Sequence, residues 1–127
     1  MSFLDRAAIV AVNDLKREEV AVPEWGGTVI VRELTAKERD LFFEWVRKNG
    51  EAAFSEFRVR AVRLSLVDEQ GAQLFAEADE PELAKKSTAV IDRLFETASR
   101  LSGLQEKDVK QIGKNSKATP QNGSSSD

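Results

Sequence analysis

The side chains in this sequence that could do chemistry are carboxylates, arginines and a pair of glycines. Glu18 and Glu19 adjoin, and a second acidic stretch runs from Asp68-Glu69-Gln70-Gly71 through Glu77, Asp79, Glu80 and Glu82. Paired carboxylates divide acid and base roles when their surroundings push their pKa values apart. Acids at alternating positions of a loop can hold calcium. Neither demand is met. A calcium loop opening at Asp68 has Gln70 at its third position and Gln73 at the sixth, where a glycine is required. Glu18 and Glu19 have no histidine to work with and lie in a stretch that reads as a polar strand edge. Gly26-Gly27 lacks the spacing of a phosphate or dinucleotide loop and is better explained as a turn. Arg58, Arg60 and Arg63, preceded by Arg47 and Lys48, form the local basic cluster, with Phe54 and Phe57 beside it. Arginines interleaved with aromatics can bind single-stranded nucleic acid. They can equally border a core and pair with acids.

The absences narrow the choice further. Among 127 residues there is no His, no Cys and no Tyr. The commonest general base and metal ligand is therefore missing, as are thiol chemistry and the sulfur and nitrogen ligands of zinc sites. We expect no enzyme activity and no cofactor. Nineteen basic residues face twenty-two acidic ones, for a net charge of -3. Duplex-binding proteins normally show a basic excess, so nucleic acid is not an expected partner. No stretch approaches the roughly 20 apolar residues of a membrane span. The first residues, with Asp5 and Arg6 inside the apolar run, do not read as a signal peptide.

The elements behind these residues predict an α+β domain over residues 1–113, with a small N-terminal β-hairpin packed against four to five α-helices. A disordered Ser- and Asn-rich tail is expected over 114–127. Ser2 to Leu15 reads as a helix capped by Ser2. Residues 17–34 read as a hairpin around Pro23-Glu24-Trp25-Gly26-Gly27. Thr35-Ala36-Lys37-Glu38 is a capping box, and the helix after it should run to about Lys48 and stop at Asn49-Gly50. Leu41, Phe42, Trp45 and Val46 form its expected inner face. Residues 51–67 fit a helix or a strand; length favours the helix. Leu64 to Val67 and Ala72 to Phe75 can form a second hairpin about the turn at Asp68–Gly71. Asp79-Glu80-Pro81 opens a short helix, and Ser87 or Thr88 opens a longer one. That one carries Ile91, Leu94, Phe95, Ala98 and Leu101 and stops at Ser102-Gly103-Leu104. A weak helix follows over 105–112.

Protein-binding surface is the remaining candidate. The first helix is apolar almost all round, because Phe3, Ile9, Val10 and Val12 widen the stripe of Leu4, Ala7, Ala8, Ala11 and Leu15. Such a helix needs cover on several sides, from its own core or from another subunit. Trp25 at the hairpin tip and Phe43, off the expected face of its helix, are either interface anchors or caps over the core.

The stretch Glu19-Val-Ala-Val-Pro-Glu-Trp-Gly-Gly-Thr-Val-Ile-Val-Arg-Glu-Leu-Thr35, continued by Ala36-Lys37-Glu38-Arg39-Asp40, resembles the hairpin and first capped helix of tail assembly chaperones from long-tailed phages and prophages. Ser65-Leu-Val-Asp-Glu-Gln-Gly71, Arg93-Leu-Phe95, Arg100-Leu-Ser-Gly103 and the serine-rich end are similar to the same family, so the likeness spans most of residues 14–115. The resemblance implies a protein of the host bacterial cytoplasm, absent from the mature virion, that self-associates. It would bind the tape measure protein, keep it soluble and help the tail tube assemble. Many such proteins also exist in a longer frameshifted form, and the tail tube protein is the partner expected of that form. This chain ends at Asp127, without such an extension. No family motif assigns individual binding residues. The competing readings are a minor structural tail or head–tail protein of the particle, and a nucleic-acid or regulatory adaptor built on Arg58–Arg63.

Overall fold

In a computed structural model the described residues are 2–118, with side chains described through Asn115. The chain folds as an α+β structure. Along the sequence come α1 (Arg6–Ala11), β1 (Arg17–Val22), β2 (Gly27–Arg32), α2 (Ala36–Asn49), α3 (Phe57–Ser65), β3 (Leu66–Val67), α4 (Glu80–Leu83), α5 (Thr88–Ser102) and α6 (Glu106–Ala118). Short 3-10 turns occupy Pro23–Trp25, Gly50–Ser55 and Glu77–Asp79. The sheet is antiparallel in the order β1-β2-β3.

The hairpin forms as its composition requires. Val20 pairs with Val29 and Val22 with Gly27, and Gly26 supplies the left-handed residue (φ 78°) that closes the loop after Trp25. Along β1 the side chains of Glu18, Val20 and Val22 turn toward the protein while Arg17, Glu19 and Ala21 face solvent. A lone hairpin is marginal in water. Here α5 covers it, burying Val90, Ile91, Leu94, Phe95 and Ala98 against β1, β2 and α3. Two bidentate ion pairs fasten the edge strand and its loop to α5: Arg100 to Glu18 at 2.9 and 3.0 Å, and Arg93 to Glu24 at 3.1 and 2.6 Å.

The hydrogen bonds from Arg93 hold the Glu24 carboxyl down at about 2. Its contribution is therefore complete above the ordinary carboxylate range and is lost as pH falls from there toward 2. Arg93→Ala is expected to move the Glu24 titration up toward the unperturbed carboxylate value of about 4.3, short of it by the backbone hydrogen bond that remains, as followed by NMR. A Glu24 titration that stays near 2 in that variant would show that Arg93 is not the cause.

α2 starts at the capping box. Glu38 N–H donates to Thr35 Oγ1 (3.0 Å), and Thr35 N–H donates to Glu38 Oε1 (2.9 Å). The same carboxylate accepts from Arg32 at 2.5 Å and from Gln73 at 3.3 Å. Arg32 is almost fully buried and also donates to the carbonyls of Glu33 and Gly71. Glu38 is thus the junction of β2, α2 and the loop after β3. The next residue, Arg39, caps the C-terminal end of α5, donating to the carbonyls of Ser102 (2.8 Å) and Gly103 (3.1 Å). Ser102 Oγ in turn accepts from the buried Leu34 N–H. Gly103 adopts φ 70°, and Leu104 folds back to full burial.

Four expectations are corrected. The first helix is six residues long and is capped by Asp5, whose Oδ1 accepts from Ala8 N–H at 2.9 Å; Ser2 has no such part. It ends because Val12 turns extended and Asn13 bonds locally to the Leu15 N–H, the habit of a short polar side chain that competes with helix. On α2 the buried residues are Phe42, Phe43 and Val46, while Leu41 is exposed, because α6 covers the Phe43 side of the helix. Residues 51–67 divide into a 3-10 turn, α3 and then β3, which pairs with β2 through Ile30↔Val67 and Val31↔Leu66 and makes a third strand. The second hairpin is present in short form, with Val67 bridged to Gln73 and Leu74 N–H donating to Leu66. Finally, α6 carries helix through residues 114–118, past the expected end at Ile112. The remainder of the tail expected over 114–127, residues 119–127, lies outside the described residues.

Candidate protein-interaction surface

The chain leaves the sheet at Lys16, whose N–H donates to Glu33 Oε1 and whose carbonyl accepts from Glu33 N–H. Everything before it is an arm. No residue of α1 is buried. Phe3 is 99% exposed, Leu4 68%, Ile9 59%, Val10 67% and Val12 57%. Helices shorter than about 12 residues are marginal in water without tertiary cover, and α1 has six residues and none buried. Five large apolar side chains at the surface of one short segment are what an unmet protein contact looks like.

Phe3, Ile9, Val10 and Val12 thus lie within ten residues of one another in the chain, and each is exposed. Trp25 is not with them. It sits in the 3-10 turn at the far end of β1, six residues or roughly 20 Å along the strand. It packs half-buried against the core, beside the Glu24 held by α5. Phe43 is 8% exposed, edge-on to Phe42, with the Arg39 guanidinium 4.8 Å over its ring. It is a core residue on the α6 side of α2. Leu41, expected on the inner face of α2, and Leu74 are the other large apolar side chains left exposed among the described residues. Nothing in their local pattern sets them apart, because their exposure depends on where α6 and β3 pack.

The arginine cluster is an internal strut. Arg58 pairs with Glu106 at 2.8 Å and Asp92 at 3.6 Å, and Arg63 with Glu80 at 2.8 Å. Arg60 lies 4.3 Å over the Trp45 ring and reaches Glu77 and Glu80. Hydrogen bonds from Lys110 and Arg58 lower the Glu106 pKa. Phosphate binding would have to break these pairs. The shallow cleft between α3 and α4, about 340 Å³, is bordered by Val59, Pro81 and Ala84 together with Arg60 and Glu80, whose charges oppose. It presents no nucleophile with a base. Asp68 serves its own turn, its Oδ1 accepting from the N–H groups of Gln70 and Ala72. Among the described residues no cluster of His, Cys, Asp or Glu is arranged to hold a metal ion, and no helix is long and apolar enough to cross a membrane.

Comparison with known proteins gives two findings. The family described as "Phage tail assembly chaperone" matches residues 4–115. The fold is similar to that of the tail assembly chaperone of bacteriophage HK97, with a TM-score of 0.58 and 24% identity, over 79% of this chain and 93% of that one. None of the curated proteins compared matches.

Proposed function

This chain belongs to the phage tail assembly chaperone family, and from that premise we propose that it binds the tape measure protein, keeps it soluble and promotes tail tube assembly. The family is one of chaperones, not of enzymes. The observation that carries the finer reading is the arm: Ile9 and Val10 exposed on a helix too short to stand alone, with Phe3, Leu4 and Val12 exposed on the chain that flanks it. Tape measure proteins are long and helical, with apolar stripes that aggregate when bare. A small apolar helix presented on an acidic body covers such a stripe and keeps the complex in solution. The same arm can engage a second copy, so self-association is part of the proposal. The work would be done in the host cytoplasm, with the chain absent from the mature virion. Engagement of the tail tube protein would fall to a longer, frameshifted form.

Co-expression with the tape measure protein of the same phage is the direct test. The expected result is a client that is soluble and co-purifies with the chain, in an interaction that weakens only modestly between low and high salt. A client equally soluble with and without the chain, and nothing bound, overturns the reading. Retention of the chain in purified particles would favour a structural role.

A further inference from the structure

Seven large apolar side chains are exposed among the described residues. Five belong to the arm; the other two, Leu41 and Leu74, belong to the body and flank one contact. Gln73, directly before Leu74, donates through its side-chain amide to Glu38 at 3.3 Å, and Leu41 stands one turn after Glu38 on α2. Trp45, four residues beyond Leu41 and so on the same side of α2, is half-buried. The opposite side of α2, with Phe42, Phe43 and Val46, is committed to the core. The body therefore offers an uncovered apolar helix face, and the arm an uncovered apolar helix.

The chain does not join the two within itself. The root of the arm is tied to the loop that leads to Leu74, since Arg17 donates to the Glu69 carbonyl at 3.0 Å and Arg32 to that of Gly71 at 3.3 Å. Yet α1 buries nothing, and Leu41 and Leu74 stay exposed. Residues 12–16, between α1 and the sheet, hold neither helix nor strand. A terminal element on such a connector, with its contact unmade in its own chain, is what identical chains exchange at low cost.

Charge selects the occupant and its direction. Arg6 lies four residues before Val10 and shares its side of α1, and Glu44 lies three residues after Leu41 and shares its side of α2. Among the described residues neither Arg6 nor Glu44 is ion-paired. With α1 antiparallel to α2 and Val10 on Leu41, Arg6 meets Glu44. The parallel arrangement instead sets Arg6 against Lys37, four residues before Leu41, which is a like charge. We propose that the arm of one copy docks antiparallel on the Leu41–Trp45 face of α2 in a second copy, with Arg6 on Glu44. This names the receptor for the self-association proposed above and rests on that part of the reading, not on the client.

The test follows the full chain, with no client present, by sedimentation equilibrium over a concentration series. The expected result is reversible self-association, weakened at least about tenfold by Leu41→Asp, which puts a carboxylate in place of an apolar contact. Leu41 is exposed, so the melting temperature should barely move. Val10→Asp chains and Leu41→Asp chains should associate when mixed, at a concentration where neither does so alone, because the mixture still pairs an intact arm with an intact face. Arg6→Glu and Glu44→Arg should each weaken association about threefold or more and restore it when combined in one chain. Both positions are exposed, so this pair of reversals decides the matter if Leu41→Asp misfolds. The proposal is overturned by a chain that stays monomeric at every concentration, including one whose arm closes on its own α2. It is equally overturned if association survives Leu41→Asp, if the mixture does not associate, or if the two reversals do not rescue one another. Any of these outcomes leaves the client reading standing, because co-expression with the tape measure protein reports on that separately.

Discussion

The double variant Ile9→Asp, Val10→Asp is expected to abolish client solubilisation while leaving the folded body intact. Burying an aliphatic side chain of this size contributes about 1.5–3 kcal/mol. Removing two such contacts therefore weakens binding by roughly 3–6 kcal/mol, a factor of about a hundred or more. Desolvating two carboxylates adds to that loss. Against this, Ile9 and Val10 are 59% and 67% exposed and no residue of α1 is buried, so the chain's own stability barely depends on them. Substitutions at such positions normally stay within about 0.5 kcal/mol. The measurements are client solubility on co-expression, the size of the isolated chain in solution, and its melting temperature. A client kept soluble by the variant sinks the arm as the binding element. A large fall in Tm would mean that α1 packs on its own body. If the variant loses self-association but keeps client solubility, the arm serves the oligomer and the client contact lies elsewhere.

The arm shows how far a sequence goes. Its apolar excess was legible in Phe3, Ile9, Val10 and Val12, and the structure leaves all four exposed. Its length was not, because apolar spacing says nothing of the local bond that Asn13 makes to Leu15 or of the cap at Asp5. Features that carry a strong local signature read correctly: the Thr35–Glu38 capping box, the turn after Pro23, and the stop at Gly103. Features fixed across long separations did not. β3 is two residues long and is a strand only because β2 lies beside it. The inner face of α2 is rotated toward Phe43 by α6, more than sixty positions away in the chain. Arg32 and Glu38 were ordinary charges in the sequence, yet their pairing joins three elements. The arginine cluster had two readings until its partners Asp92, Glu106, Glu77 and Glu80 were in place.

Phe57→Ala is expected to be the most destabilising single truncation considered. Phe57 opens α3, is fully buried, and meets Phe95 of α5 edge-on with ring centroids 5.5 Å apart. α3 and α5 are the helices that cover the sheet together, so the ring sits where two elements depend on one another. Truncating a buried Phe costs about 3–5 kcal/mol, the lost transfer energy plus the cavity left behind. The total stability of a small domain is about 5–15 kcal/mol, so much of the fold's margin is at stake. At about 4–8 °C per kcal/mol, Tm should fall by roughly 12 °C or more, if the variant folds at all. Leu41→Ala on α2 is the matched comparison. Leu41 is 53% exposed, and its truncation should change stability by no more than about 0.5 kcal/mol. Truncating Phe43, 8% exposed, should fall much nearer the Phe57 result. Chemical denaturation of the three variants orders them. A Leu41→Ala loss as large as that of Phe43→Ala would mean that α2 turns its other face to the core. The placement of α6 over Phe43 would then fall with it.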